Sequence, residues 1–254
     1  VALATNSEEY ILPMHRNLGV FTCRDISLVK LFNQFQGKVD GFTKGRDRSF
    51  HFGVKDLNIV GMISHLGPQM GIADGIGLAK KLKDEKKATV VFTGDGGTSE
   101  GDFHESLNVA AVWDLPVLFV IENNGYGLST PNKEQFKGES LAVRGEGYGV
   151  ESLSIDGNNI VEVYTTVKEK IESIRKNPRP ILLECFTFRM RGHEEASGTK
   201  YVPKDVMEYW EKKDPVVNFE KYLVDKKIYN NTEIVKERDR LKDEINEAVK
   251  ISFD

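Results

Sequence analysis

Cysteine is scarce in this sequence, and both long hydrophobic runs and an excess of basic residues are missing. The 254 residues include two cysteines, Cys23 and Cys185, which lie far apart among apolar neighbours. This pattern predicts buried, reduced thiols, and the lack of a CxxC motif or a Cys/His cluster argues against a zinc site. No apolar run approaches the roughly 20 residues of a membrane-spanning helix. The net charge of −4 provides no basic surface for nucleic acid or for a membrane.

The start of the sequence lacks an initiator methionine and the features of a signal peptide. We therefore expect a segment cut from a longer chain. A cytoplasmic location is predicted, and the missing upstream portion leaves the mitochondrial matrix open. With 254 residues, 39% of them hydrophobic and 29% charged, the chain suits one large α/β domain or two small ones.

Apolar segments of strand length alternate with helical patterns along the chain. Strands are predicted at residues 88–93, 116–121, 150–155 and 181–188. Helices are predicted at residues 26–35 with an end near Gly37, at 62–82, after Asp95, from a cap at 156–158 to about 174, and within 204–254. This alternation predicts an α/β fold with a doubly wound, mostly parallel sheet and helices on both faces.

The last fifty residues are charged and carry a narrow apolar stripe, Leu241, Ile245 and Val249. Such a stripe is typical of an amphipathic helix that packs on its own domain or on a partner. We therefore divide the chain into an α/β domain at 1–203 and a helical C-terminal extension at 204–254.

Two polar loops follow neighbouring predicted strands. Gly94-Asp95-Gly96 comes directly after the strand at 88–93, and Asn123-Asn124 follows the strand at 116–121. Because ligands bind at the carboxyl ends of the strands in open α/β sheets, Asp95 and Asn124 are expected to share one ligand.

The residue types in these loops favour a magnesium diphosphate. A carboxylate, an amide oxygen and a nearby backbone carbonyl are hard donors that Mg²⁺ accepts, with phosphates and water completing its shell. The glycines Gly94, Gly96 and Gly97 allow the backbone to approach a phosphate, and the following helix offers its amino-terminal amides to the anion.

The combination GDG, about thirty residues and NN resembles the thiamine diphosphate signature. The longer segment GDGGTSEGDFHESLNVAAVWDLPVLFVIENNGYGLST is very similar to the alpha subunit of the decarboxylating component of 2-oxo acid dehydrogenase complexes. The resemblance implies that Asp95 and Asn124 bind Mg²⁺ through their side chains and that Tyr126 binds it through its carbonyl.

Further site residues are implied by the same resemblance. Arg16, in the segment PMHRNLG, matches an arginine that grips the cofactor diphosphate, while His15 stands where the family has tyrosine, so its role stays open. His193 matches a catalytic histidine that contacts the diphosphate and the substrate region. Glu194-Glu195 follows it where animal members carry a phosphorylatable serine, so we expect no phosphorylation at that position.

Two other segments match the family more loosely. Ile63 is the candidate for the apolar residue that props the cofactor into its bent shape, with a plain core isoleucine as the alternative. The roles of Ser64 and His65 beside it stay open. The loop at 45–51 is less glycine-rich than in the family. We interpret the basic residues in and next to this loop, Lys44, Arg46 and Arg48, as structural or interface charges, with contact to an anionic substrate as the alternative.

The resemblance implies oxidative decarboxylation of a 2-oxo acid, with acyl transfer to a lipoyl group on the acyltransferase of the complex. In the family a glutamate of the beta subunit, or of a fused beta domain, serves the pyrimidine ring, and nothing in this sequence matches that half. We therefore expect half of an active site in a heterotetramer. The sequences of two segments, MHRNLG and MRGHEEASGTKYVP, resemble the branched-chain type and favour 2-oxoisovalerate over pyruvate.

Other functions stay open at this point. An acetoin dehydrogenase or a transketolase-like enzyme would also use thiamine diphosphate. A noncatalytic module that binds a magnesium nucleotide is the alternative of another class. The sequence argues against that module because it contains no GxxxxGK[ST] loop.

Overall fold

A computed structural model describes residues 1–47 and 50–253 of the chain. Arg48 lies outside the described residues, so its predicted role has no structural counterpart here. The strands are β1 (Tyr10–Leu12), β2 (Thr89–Gly94), β3 (Val117–Asn123), β4 (Tyr126–Gly127), β5 (Thr130–Pro131), β6 (Glu151–Asp156) and β7 (Ile181–Phe186). The α-helices are α1 (Leu18–Thr22), α2 (Leu28–Gln36), α3 (Pro68–Leu82), α4 (Gly101–Val112), α5 (Asn132–Gln135), α6 (Val143–Glu146), α7 (Ile160–Lys176), α8 (Lys204–Glu211), α9 (Pro215–Asp225) and α10 (Asn231–Phe253).

Five strands form one parallel sheet in the order β1-β2-β3-β7-β6, while β4 and β5 form a short antiparallel hairpin. In the register of the sheet, Thr89 pairs with Val117, Leu118 with Ile181, and Ile181 with Glu151. The predicted strands are present, and the predicted parallel α/β fold is confirmed. β1 was not predicted, because three residues are too short for a periodic pattern to stand out.

The sheet is covered by helices on both faces. Along β2, Val90 and Phe92 belong to one apolar core and Val91 to the other, as expected for side chains that alternate across a strand. One core includes side chains of α2 and α7, namely Leu31, Val163, Val167 and Ile171. The other includes side chains of α3 and α4, namely Met70, Ala73, Phe103 and Leu107.

Two helix boundaries differ from the sequence-based predictions. α3 begins at Pro68 rather than at residue 62, because Gly67 has a φ of +105° and a proline favours the first helical position while restricting the residue before it. The cap of α7 is Asn159, whose side chain accepts from the amide of Glu162, rather than the segment 156–158. Asp156 instead accepts from the amide of Asn158 at 2.9 Å and closes a turn.

The segment after residue 203 forms α8, α9 and α10. The end of α10 is anchored on α2: Ala248 and Ser252 are buried, and Gln36 Nε2 donates to Ser252 Oγ at 2.9 Å. Leu241 and Ile245 of the predicted apolar stripe are 45% and 46% exposed. The division at residue 203 stays a prediction. Over the described residues, no helix has the length and apolar character to cross a membrane.

Candidate diphosphate and metal site

A cleft of about 730 Å³ opens at the carboxyl edge of the sheet. The predicted site residues that line it are Arg16, Gly94, Asp95, Gly96, Gly97, Asn124, Tyr126 and His193. His15 and Ser64 also line the cleft. Ile63 and His65 are not among the described residues that line it, whereas Leu66, which is 40% exposed, is.

Asp95 lies at the end of β2 and is 1% exposed. Its Oδ1 accepts from the amide of Asn124 at 3.4 Å, and its carbonyl accepts from the hydroxyl of Thr98 at 2.6 Å. Among the described residues, Oδ2 is buried without a hydrogen-bond partner. Burial raises the pKa of Asp95, against the opposing effect of backbone donors and of Arg189. A buried carboxylate oxygen without a partner is costly, so this oxygen is suited to a cation.

The turn after Asp95 keeps its backbone accessible. A Cβ on Gly97 would lie 2.5 Å from Thr93 Oγ1, and one on Gly96 would lie 3.0 Å from Gly127 Cα. Side chains are therefore excluded from the wall of the cleft next to Asp95, where a phosphate group needs close approach to the backbone. Arg144 fixes the turn from outside, since its Nη1 donates to the carbonyl of Thr98 at 2.6 Å.

The two asparagines after β3 face different surroundings. Asn124 lines the cleft, and its Oδ1 accepts from the amide of Tyr126 at 3.4 Å. Asn123 is buried, and its Nδ2 donates to Glu184 Oε1 at 2.7 Å. Gly125 makes the turn after them with a φ of +84°, which a glycine adopts without strain. Asn124 therefore faces the cleft, whereas Asn123 lies in the protein interior.

The opposite side of the cleft carries two arginines around His193. Arg16 Nη2 donates to the carbonyl of His193 and lies 3.3 Å from its Nδ1, while Arg189 Nη1 lies 2.9 Å from the same nitrogen. Burial, followed by the charges of Arg16 and Arg189, lowers the pKa of His193. Two guanidinium groups beside a neutral imidazole suit a multiply charged anion.

Arg189 was missed as a site residue in the sequence analysis. Its position three residues after β7, at the same sheet edge as Asp95 and Asn124, is the feature of the sequence that could have identified it. Its Nη2 also donates to the carbonyl of Leu128 at 2.6 Å, which ties it to the tip of the β4–β5 hairpin.

Glu122 was also overlooked, although it directly precedes the two asparagines. Its Oε1 accepts from Asn17 Nδ2 at 2.6 Å, and Asn17 Oδ1 accepts from the amide of Met14 at 2.6 Å. Burial raises the pKa of Glu122. These contacts connect the end of β3 to the turn that carries Arg16, so both sides of the cleft are fixed to one strand.

The remaining predicted residues lie outside the cleft. Lys44 and Arg46 are exposed and do not line it among the described residues. Within the described ranges, no group of three or more His, Cys, Asp or Glu side chains could hold a metal ion. A metal at Asp95 would therefore depend on one carboxylate together with neutral oxygens and the ligand's own phosphates.

Comparison with known proteins adds the family. The model of the family described as "Dehydrogenase E1 component" matches residues 1–254. The chain is 36% identical to the alpha 1 subunit of 2-oxoisovalerate dehydrogenase of Arabidopsis thaliana over 98% of this chain and 53% of that protein. It is 34% identical to the human alpha subunit of the same enzyme over 88% and 51%.

A bacterial relative covers more of its own length. The alpha subunit of acetoin:2,6-dichlorophenolindophenol oxidoreductase of Bacillus subtilis is 36% identical over 96% of this chain and 73% of that protein. The chain spans about half the length of the 2-oxoisovalerate dehydrogenase subunits that it matches. The family assignment rests on the match over the whole sequence: the chain belongs to the dehydrogenase E1 component family.

Proposed function

We propose that this chain is the diphosphate-binding half of a thiamine diphosphate- and Mg²⁺-dependent 2-oxo acid dehydrogenase. The observation that carries the proposal is the buried Oδ2 of Asp95, which lacks a partner among the described residues and lies beside Asn124 in a cleft that also contains Arg16, Arg189 and His193. The carboxylate oxygen of Asp95 can bind the Mg²⁺ ion, and the two arginines in the same cleft can bind the diphosphate anion.

The residues present fit this group. Asp95 and Asn124 would hold Mg²⁺ through side-chain oxygens and Tyr126 through its carbonyl, a set of hard donors that leaves positions for phosphate oxygens. The backbone at Gly94, Gly96 and Gly97 would lie against the diphosphate. Leu66 is a better candidate than Ile63 for the apolar prop, because it lines the cleft.

The cationic residues would bind and orient the diphosphate. Arg16 and Arg189 lie on either side of His193, so an anion between them would offset the repulsion between their charges. When bound, thiamine diphosphate supplies the carbon nucleophile and electron sink for decarboxylation. His193 would then hold or move a proton at its ring nitrogens, as the catalytic residue of this half.

A partner must complete the site. We infer that a beta subunit or fused beta domain supplies the glutamate for the pyrimidine ring, and that a lipoyl-bearing acyltransferase accepts the acyl group. The Arabidopsis and human relatives are named alpha subunits of mitochondrial enzymes, and the Bacillus subtilis relative is named an alpha subunit as well, which supports this subunit role. Because these relatives are both mitochondrial and bacterial, a location in the cytoplasm and one in the mitochondrial matrix both stay open.

Two substrates compete. The relatives named 2-oxoisovalerate dehydrogenase favour a branched-chain 2-oxo acid. The Bacillus subtilis relative, which has the same 36% identity as the Arabidopsis alpha 1 subunit, favours acetoin. The full-length chain assembled with its beta half should be assayed with a lipoyl acceptor and 2-oxoisovalerate, pyruvate or acetoin. The proposal expects the highest kcat/KM with 2-oxoisovalerate. Turnover of acetoin alone would favour the second candidate, and normal 2-oxo acid decarboxylation by this chain without a partner would contradict the half-site.

A further inference from the structure

The side chain of Glu184 is the most completely buried charge near the cleft that the proposed function leaves unused. It lies on β7, a central strand, and is 0% exposed. Its carboxylate accepts from Asn123 Nδ2 at 2.7 Å, from Ser140 Oγ at 2.5 Å and from Ser154 Oγ at 2.8 Å. The amides of Leu141 and Ala142 donate to it as well, each at 3.1 Å.

These donors keep the buried carboxyl group ionised. Burial by itself would raise the pKa of Glu184, but hydrogen bonds from Ser140, Asn123 and Ser154 outweigh burial and lower it. An ionised carboxylate is purely an acceptor. Every group that faces it must therefore present a hydrogen, and this requirement acts on Asn123, whose amide could otherwise point either way.

The orientation of Asn123 decides the shape of the turn that lines the cleft. With its Nδ2 held by Glu184, its Oδ1 accepts from the amide of Gly125 at 3.1 Å and from Asn132 Nδ2 at 2.7 Å. Gly125 separates Asn124 from Tyr126, the two residues of this loop in the proposed Mg²⁺ site. A continuous set of hydrogen bonds thus connects the interior of the sheet to that turn.

The two carboxylate oxygens share the amide of Leu141, which lies 3.1 Å from each, but their other donors differ. Oε1 also accepts from Asn123, whereas Oε2 also accepts from Ser140, Ser154 and Ala142. If Glu184 had a purely structural role, that role would rest on the contacts of Oε2, which close the loop before α6. We propose that Glu184 is in addition a positioning residue: through Asn123 it fixes the turn that presents Asn124 and Tyr126 to the metal and diphosphate. This inference rests on the proposed function of the cleft.

Glu184→Gln tests the proposal, because it keeps the size of the side chain and places an NH₂ group among donors. Glu9→Gln is the matched control. Glu9 is also 0% exposed and accepts from the amides of Ala88 and Asn6, each at 3.0 Å, but Ala88 precedes β2 at the opposite edge of the sheet. Glu9 differs from Glu184 in one respect, because it also accepts from Arg175 Nε at 2.9 Å and from Arg175 Nη2 at 2.7 Å. Both variants are made in the full-length chain assembled with its beta half.

Two readouts separate positioning from stability. Hydrogen exchange of residues 123–127, without ligand, should accelerate in Glu184→Gln and stay at the wild-type rate in Glu9→Gln. The Mg²⁺ concentration needed for half-maximal thiamine diphosphate binding should rise by about 10- to 100-fold in Glu184→Gln only, as expected for a residue that supports a metal ligand. Thermal unfolding of both variants accounts for the general loss of stability.

A reversed pair strengthens the test. Asn123→Asp alone places two carboxylates at a contact that now measures 2.7 Å, so exchange of the turn should accelerate further. Combining Asn123→Asp with Glu184→Gln lets the new amide donate to the new carboxylate, and protection of the turn should partly return.

The outcomes are distinct. Equal loop protection and equal Mg²⁺ requirement in Glu184→Gln, Glu9→Gln and wild type would overturn the positioning role while leaving the proposed function intact. Absence of partial recovery in the combined variant would overturn the route through Asn123. A wild-type assembly that binds no thiamine diphosphate with Mg²⁺ would overturn the proposed function, and with it any role of Glu184 toward the cofactor.

Discussion

His193 shows how single residues set the electrostatics of the cleft. Its Nδ1 lies within hydrogen-bond distance of two guanidinium groups, those of Arg16 at 3.3 Å and Arg189 at 2.9 Å. A ring nitrogen facing two donors acts as an acceptor, so the geometry favours the neutral imidazole with its proton on Nε2. The geometry thus places a neutral imidazole beside two guanidinium groups.

Replacing Arg189 should change the titration of His193. Burial is the largest cause that lowers the pKa of His193, and the charges of Arg16 and Arg189 follow. Arg189→Gln removes one of those charges while keeping a donor, so the pKa of His193 should rise toward its ordinary value. The imidazole NMR signal, followed against pH in wild type and variant, measures this shift. Arg179→Gln, at the other edge of the sheet, should leave the titration unchanged, and an unaltered or lower pKa in Arg189→Gln would contradict the assignment.

At the scale of elements, the contact between α3 and α4 contains a buried carboxyl group that makes stability depend on pH. Asp74 of α3 is 5% exposed, and its Oδ1 has no hydrogen-bond partner within the described ranges. Burial raises the pKa of Asp74 to about 7, and the side chain of Ser106 on α4 partly opposes this effect. The folded chain therefore binds a proton that the unfolded chain releases at lower pH.

This linkage predicts the sign of a stability change. Because the folded-state pKa lies above the unfolded value, the contribution of Asp74 is fully present below about pH 4 and is lost as the pH rises through about 7. Asp74→Asn should remove that loss and stabilise the chain by roughly 1–3 kcal/mol at pH 8, with little effect at pH 4. Urea unfolding of both proteins at several pH values measures the difference. A variant that gains nothing between pH 4 and pH 8 would exclude this role.

The helix α10 packs on α2 near its end and is joined to α9 by an exposed ion pair, in which Arg238 donates to Glu220 at 2.6 and 2.7 Å. Ala248 is 6% exposed near the end that contacts α2, whereas Leu241, two turns earlier on the same face, is 45% exposed. Ala248→Asp should therefore destabilise the chain by roughly 1–3 kcal/mol, and Leu241→Asp should change its stability by less than about 0.5 kcal/mol. Thermal unfolding and hydrogen exchange of α2 compare the two variants. Equal effects would mean that the stripe packs along its whole length.

The same elements show what could be predicted from the sequence. The strands 88–93, 116–121 and 181–188 were readable because a buried parallel strand is continuously apolar. β1 was not readable, because three residues carry no period, and α3 was placed too early because the backbone at Gly67 was not considered. Asp95 and Asn124 were found through their spacing. Arg189, Glu122 and Glu184 were missed, because their importance depends on neighbours that are distant in sequence and meet only in the folded sheet.

At the scale of the whole molecule, the parallel sheet brings its functional residues to one edge. Asp95 follows β2, Asn124 follows β3, and Arg189 and His193 follow β7, so three neighbouring strands bring a buried carboxyl group and a basic cluster to one cleft. The chain spans about half the length of its 2-oxoisovalerate dehydrogenase relatives. We therefore propose that this half binds a magnesium diphosphate through Asp95.

Calorimetric titration with thiamine diphosphate measures this binding and its dependence on Mg²⁺. The full-length chain with its beta half is titrated in Mg²⁺ and in EDTA, as wild type, as Asp95→Asn and as Asp74→Asn, which alters a buried carboxyl group outside the cleft. We expect Mg²⁺-dependent binding in wild type and in Asp74→Asn, and a loss of at least about tenfold in affinity in Asp95→Asn. Binding that is equally tight in EDTA, or unchanged in Asp95→Asn, would overturn the proposed role of Asp95.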